Sequence, residues 1–176
     1  MKIACILESD FEDSEYVQPA EALRQAGHQV TVIGLQAGKE LKGKKEGTPV
    51  RTDKAFSEVR PDQFDALLIP GGSSPDKLRA HPEPVEFTKA FFDAGKPVLA
   101  ICHGPQLFLT AGTFRDHRMT AWKTIQVDLK LAGANVVDQE VVVDRNLVTS
   151  RQPSDLPAFN QAALEALRTP AGSASS

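Results

Sequence analysis

The 176-residue chain has only two cysteines, Cys5 and Cys102, one tryptophan and one tyrosine. Neither cysteine belongs to a C-x-x-C pair, which excludes a cysteine-built zinc knot and a thioredoxin-type motif. No glycine-rich nucleotide fingerprint and no His/Cys metal cluster is present, so the expected chemistry needs no cofactor and no metal. No apolar run is long enough to span a bilayer. Met1-Lys2-Ile3 leads directly into a strand, so no signal peptide is expected and a reducing cytoplasm is the expected compartment. An excess of basic charge is also missing: 20 Lys and Arg against 23 Asp and Glu give a net charge of -3, which argues against nucleic acid or an anionic membrane as partner. The one basic cluster, Lys39 to Lys45, is interrupted by Glu40 and Gly43 and reads as a solvated loop. Histidines are four, at positions 28, 81, 103 and 117, with none in the last third.

What is present is a well-supplied core. Hydrophobic residues make up 41% of the chain, which suits one α/β domain over residues 1–168, followed by a small polar tail at 169–176 read as disordered. Strands are predicted at Lys2–Leu7, His28–Leu35, Phe64–Ile69 and Pro97–Ile101, each a short apolar or β-branched run. Helices are predicted from Phe11 to Ala26, Pro82 to Ala94 and His103 to Ala111, each stopped by the glycine that follows. Gly38 to Asp53 reads as a hairpin excursion. Beyond it lie a short strand at Arg118–Trp122, a helix at Thr124–Ala132, strands at Val136–Val137, Glu140–Val143 and Leu147–Thr149, and a terminal helix at Leu156–Leu167. Strands alternating with helices imply a mostly parallel sheet covered on both faces.

In such a sheet, ligands bind beyond the carboxyl ends of the strands. Three loops converge there: Glu8 to Glu12, Gly71 to Pro75, and Cys102 to Pro105. Cys102 stands at a strand-to-helix junction, where a sharp turn raises the sulfur above the sheet and a helix N-terminus favours thiolate. Gly71 and Gly72 let the backbone approach a ligand, and their N–H groups, with that of His103, could hold an oxyanion. Glu12 is the candidate acid: a carboxyl beside a thiolate has a raised pKa and can donate to the sulfur. His103 is adjacent in sequence, but successive residues on a helix do not share a face, so its ring need not reach the sulfur. Cys5, inside a strand, reads as core.

The string Ala100-Ile101-Cys102-His103-Gly104-Pro105-Gln106 resembles the nucleophile elbow of the ThiJ/PfpI superfamily, especially its PfpI-type intracellular protease branch. Phe11-Glu12-Asp13, Asp65 to Gly72 with Pro75-Asp76, and Thr149-Ser150-Arg151 with Pro153 and Asp155-Leu156 resemble the same branch in the same order. The resemblance implies a flavodoxin-like three-layer α/β sandwich of the glutamine amidotransferase-like class, as a homodimer or hexamer. It implies Cys102 as nucleophile, Glu12 as its carboxyl partner, and oxyanion donors at Gly72 and His103. It implies that His103 pairs with an acid from a neighbouring subunit, usually Glu; Asp76, one methylene shorter, holds that position here. Trp122 lies where the family often has an aromatic near the site. The His-x-Glu base of the related amidotransferases is missing. The expected function is cofactor-free hydrolase or lyase chemistry on small reactive carbonyls or glycated adducts in stress protection. The alternatives are an oligomeric cysteine peptidase acting on peptides and a redox-sensing or chaperone-like stress protein.

Overall fold

A computed structural model describes residues 1–168; the tail assigned to 169–176 lies outside the described residues. The centre is a seven-stranded sheet. Its strands are β1 (Lys2–Ile6), β2 (Gln29–Gly34), β5 (Lys54–Ala55), β6 (Ala66–Ile69), β7 (Val98–Ile101), β10 (Val142–Asp144) and β11 (Leu147–Ser150), in the order β10-β11-β7-β6-β1-β2-β5. All neighbours run parallel except β10, which returns antiparallel on β11. The chain runs outward from β1 to β2 and then resumes on the other side at β6. The strand order therefore reverses between β1 and β6, and the loops that leave these two strands part to open a crevice there.

Both faces of the sheet are apolar because each strand contributes alternate residues to two cores. Ile3, Cys5, Leu68, Leu99 and Ile101 face α1 (Asp13–Gln25) and α6 (Leu156–Arg168), meeting Tyr16, Leu23 and Phe159. Ala4, Ile6, Leu67, Ile69 and Ala100 face α3 (Pro82–Asp93), α4 (Gln106–Ala111) and α5 (Lys123–Ala132), meeting Phe87, Phe91, Phe108 and Leu129. Cys5 is fully buried in the first of these cores. Several features differ from the sequence reading, the edge strand β5 among them. A short helix, α2 (Ser74–Leu78), follows the Gly-Gly turn. The helix after Cys102 starts at Gln106 rather than His103, because residues 102–105 are spent on tight turns.

The predicted hairpin is β3 (Glu40–Lys42) paired with β4 (Pro49–Arg51), pinned by Leu41 and Val50 in the core. The remaining short strands, β8 (Arg118–Met119) and β9 (Asn135–Val136), pair parallel as a separate ribbon. Asp13, in the first turn of α1, fastens the hairpin loop: it accepts the N–H groups of Lys45, Glu46 and Thr48 at 2.9, 3.3 and 3.1 Å. Burial would raise its carboxyl, but the Thr48 hydroxyl and the Lys45 and Thr48 N–H groups outweigh burial and hold it well below the usual carboxylate range.

A depressed carboxyl contributes stability that is full above its unfolded pKa and is lost as pH falls toward the folded one. Asp13→Ala should cost about 1–2 kcal/mol at neutral pH by stranding three loop donors. Urea unfolding should show this difference shrinking below about pH 4, and limited proteolysis at pH 7 should cut the variant first between residues 43 and 48. A variant as stable and as protease-resistant as wild type would contradict the clamp.

Candidate active site

Cys102 follows β7 in the left-handed region of backbone space, at φ 63°. A non-glycine residue there is strained and persists only where its surroundings fix it. Here the Cys102 N–H donates to the Ser150 carbonyl at 3.0 Å, and the Trp122 N–H donates to the Cys102 carbonyl at 2.9 Å. The side chain is left at the mouth of the crevice, 7% exposed.

The carboxyl beside this sulfur is Glu15, not Glu12. Glu15 is fully buried, and its Oε1 accepts the Gly71 N–H at 2.9 Å. Gly71 separates it from the cysteine: a Cβ on Gly71 would lie 2.4 Å from Glu15 Oε1 and 2.9 Å from the Cys102 Cβ. Oε2 is buried without a hydrogen-bond partner among the described residues, and the carboxyl lies close enough to the Cys102 thiol for each group to perturb the other. Burial first, then the charge of Glu12, pushes Glu15 up to about 8, against the pull of the Gly71 and Cys102 hydrogen bonds and of Lys44. Glu15 therefore carries a proton at neutral pH and stands as a protonated acid beside the sulfur.

Glu12 lies one turn away and faces a different group. Its Oε1 meets Lys45 Nζ at 3.2 Å and its Oε2 meets Lys44 Nζ at 3.3 Å. The separation was legible in principle. Counting back in fours along α1 from buried Leu23 through Pro19 lands on Glu15, whereas Glu12 precedes the helix. An acid on the apolar stripe was the available signal.

The thiol is not acidified in the way the sequence suggests. Burial is the largest influence and the Glu15 charge the next, and both push Cys102 up; the His103 N–H and Lys44 pull it down. The helix dipole contributes little because α4 begins four residues later and is only 6 residues long. The structure supplies a base instead. His103 Nδ1 lies 3.2 Å from Cys102 Sγ. The helix-face argument against this contact fails because residues 102–105 turn sharply before any helix forms. Burial, and then Lys44, lower the His103 pKa, with Asp76 opposing, so the ring is neutral near pH 7 and can accept the thiol proton when its own proton sits on Nε2. Trp122 stacks on the ring with centroids 6.3 Å apart, which places this aromatic at the site and restricts the imidazole.

The Gly71 N–H is taken by Glu15 and is no oxyanion donor. The Gly72 N–H makes no hydrogen bond among the described residues. Gly72 adopts φ 78°, a conformation that keeps the turn against Asp10 to Glu12. The His103 N–H is directed at the sulfur itself. Asp76 is exposed on α2 and reaches His103 by charge, with no hydrogen bond to it in this chain. Lys44, read from sequence as part of a solvated loop, acts on Glu15, Cys102 and His103 alike. Among the described residues no helix is long and apolar enough to cross a membrane.

A cysteine on a strained turn, a histidine touching its sulfur and a buried acid behind it define the class: an α/β enzyme with a cysteine nucleophile. The chain belongs to the DJ-1/PfpI family, whose model matches residues 1–166. It is 55% identical over 167 residues to protein/nucleic acid deglycase 2 of Escherichia coli K12, covering 94% of this chain and 97% of that protein. It is 52% identical over 167 residues, with the same coverage, to general stress protein 18 of Bacillus subtilis 168. The crystal structure of a two-domain protein with DJ-1/ThiJ/PfpI-like and ferritin-like domains from Anabaena variabilis superposes with a TM-score of 0.92 at 39% identity. That match covers 95% of this chain and 48% of the two-domain one.

Burying Glu15 has a stability signature. A raised carboxyl contributes its full stability below its unfolded pKa of about 4.3, and that contribution is lost as pH rises through about 8. Glu15→Gln keeps an acceptor for Gly71 and has no charge to bury. It should match wild type near pH 4 within error and exceed it by about 1–3 kcal/mol at pH 8 in urea unfolding. A stability gap independent of pH would show that Glu15 does not titrate as described.

Proposed function

We propose that this protein is a cofactor-free deglycase: it removes small reactive carbonyls such as methylglyoxal from thiol and amine adducts and releases them as 2-hydroxy acids. The observation that carries this reading is the 3.2 Å contact between neutral His103 and the Cys102 thiol, with protonated Glu15 behind the same sulfur. A base for the thiol and an acid for the carbonyl oxygen are what addition to an aldehyde requires. The similarity to an Escherichia coli deglycase supports the same substrate class.

In the site the carbinol proton of the adduct passes to the carrier sulfur or nitrogen, the bond from carrier to carbon breaks and the carrier leaves; the Cys102 sulfur then adds to the aldehyde carbon while Nδ1 takes the thiol proton. The carbonyl oxygen becomes the hydroxyl of a hemithioacetal, with Glu15 as proton donor and the unpaired Gly72 N–H as the donor available to the developing oxyanion. Moving the proton from that carbon to its carbonyl neighbour turns the hemithioacetal into a thioester of the 2-hydroxy acid. Water then cleaves the thioester, restoring the thiol and releasing lactate when the aldehyde is methylglyoxal. Every atom of the product comes from the aldehyde and one water, so no external oxidant is required.

Cys102→Ala should lower lactate formation from methylglyoxal at least about 100-fold. Wild-type kcat/KM should fall above about pH 8 as Glu15 loses its proton, and Glu15→Gln should be slower and lack that limb. Equal lactate formation by wild type and Cys102→Ala would end this reading.

A further inference from the structure

The loop between β3 and β4 is braced against the site by its backbone. Besides the three N–H groups on Asp13, the Lys44 N–H donates to the Phe11 carbonyl at 2.9 Å and the Lys42 carbonyl accepts the Asp10 N–H at 2.8 Å. A Cβ on Gly43 would overlap the Asp13 carboxylate, so the two segments are in direct contact. The segment gripped here, Asp10 to Asp13, is the one whose Glu12 N–H donates to the Gly71 carbonyl at 3.2 Å, and Gly71 packs on Cys102. Lys44 and Lys45 are therefore carried on an immobilised loop at the rim of the crevice.

Their salt-bridge partner is shared. The two ammonium groups share one carboxylate, that of Glu12. Of the other acids of the rim, Glu8 faces Lys39 at 3.7 Å and Asp10 faces Lys77 at 2.6 Å, while Asp13 keeps its charge beneath the loop N–H groups; Lys44 is nonetheless the cation that acts on the Cys102 sulfur. Exposed Asp76 opposes Lys44 at His103. Glu15, protonated, adds no negative charge at neutral pH.

We propose that Lys44 and Lys45 make this site select anionic substrates: carbonyl adducts whose carrier bears a carboxylate close to the reacting carbon, in preference to neutral adducts of the same shape. The proposal rests on the reading of Cys102 as nucleophile. A methylglyoxal adduct of N-acetylcysteine carries such a carboxylate, and the adduct of N-acetylcysteine amide does not. Partly exposed charges at this range change rates by factors of a few, and salt erodes the effect.

The test uses the full chain and two alkylating agents that differ in charge, iodoacetate and iodoacetamide. Each loses iodide to the Cys102 sulfur, and mass spectrometry of the Cys102 peptide gives each rate. The ratio of the two rates cancels the thiolate fraction and needs no turnover. The wild-type ratio of iodoacetate to iodoacetamide should exceed that of 2-mercaptoethanol. It should fall about three- to tenfold in Lys44→Gln/Lys45→Gln and decline in wild type at high salt. The charge-preserving Lys44→Arg/Lys45→Arg variant should keep the wild-type ratio. An unchanged ratio in the glutamine variant, or a lowered ratio in the arginine variant, would overturn the proposal. In parallel, wild-type kcat/KM should favour the N-acetylcysteine adduct over its amide, and the glutamine variant should lose that preference. Equal turnover of the two adducts by wild type would sink the selectivity and leave the deglycase reading standing, whereas lactate formation that survives Cys102→Ala would sink the deglycase reading and with it the proposal that rests on it.

Discussion

The site depends on one buried hydrogen bond, from the Gly71 N–H to the Glu15 carboxyl. An acid at zero exposure would be expelled or left unsatisfied if nothing met it. The Gly71 N–H meets one oxygen, and the raised pKa leaves the carboxyl uncharged. The arrangement joins three elements that are distant in sequence: the first helix, the turn after β6 and the turn after β7. It also dictates residue type, since any side chain at position 71 would occupy the space that Glu15 and Cys102 share. Strand order makes the meeting possible, because β1, β6 and β7 are consecutive in the sheet and their C-terminal loops open at the same edge.

Two glutamates three residues apart have opposite fates here. Glu12 sits at the helix entry and is paired with two lysines; Glu15 sits one turn in, forms no ion pair among the described residues, and keeps its proton. The contrast is a solvation effect, since burial is the largest influence on Glu15 and the charge of Glu12 adds to it. The same burial raises Cys102 and lowers His103, so at rest the site holds a neutral thiol, a neutral imidazole and a neutral carboxyl. Charge appears only when proton transfer accompanies attack, and the groups needed to move that proton are in contact beforehand.

The fold was legible because it follows from local patterns. Apolar runs of four to six residues between glycine-stopped helices admit few arrangements other than a parallel sheet covered on both faces, and the chain alternates in that way through β7. Cys102 was legible for a related reason, since a thiol directly after a buried strand marks a turn at the active edge of the sheet. Trp122, expected near the site from the resemblance, stacks on His103 and also packs against both cores. The acid was misplaced because Phe11-Glu12-Asp13 carried the resemblance, whereas contact with the sulfur is set by depth along α1. The histidine contact was discounted because a helix was expected from residue 103, and backbone strain at Cys102 with tight turns to residue 105 defers that helix. Lys44 was unreadable: a lysine in a charged, glycine-containing loop looks solvated until a carboxylate 31 positions earlier is found holding the loop in place.

By itself, then, the sequence determined the layered architecture and the edge of the sheet at which Cys102 stands, because periodicity and strand-to-turn junctions are encoded within a few residues. Only the tertiary structure decided which acid serves the sulfur, whether the imidazole reaches it, and which cations line the rim. Those outcomes depend on desolvation and on contacts between segments far apart in the chain, and both quantities exist only once the segments have packed.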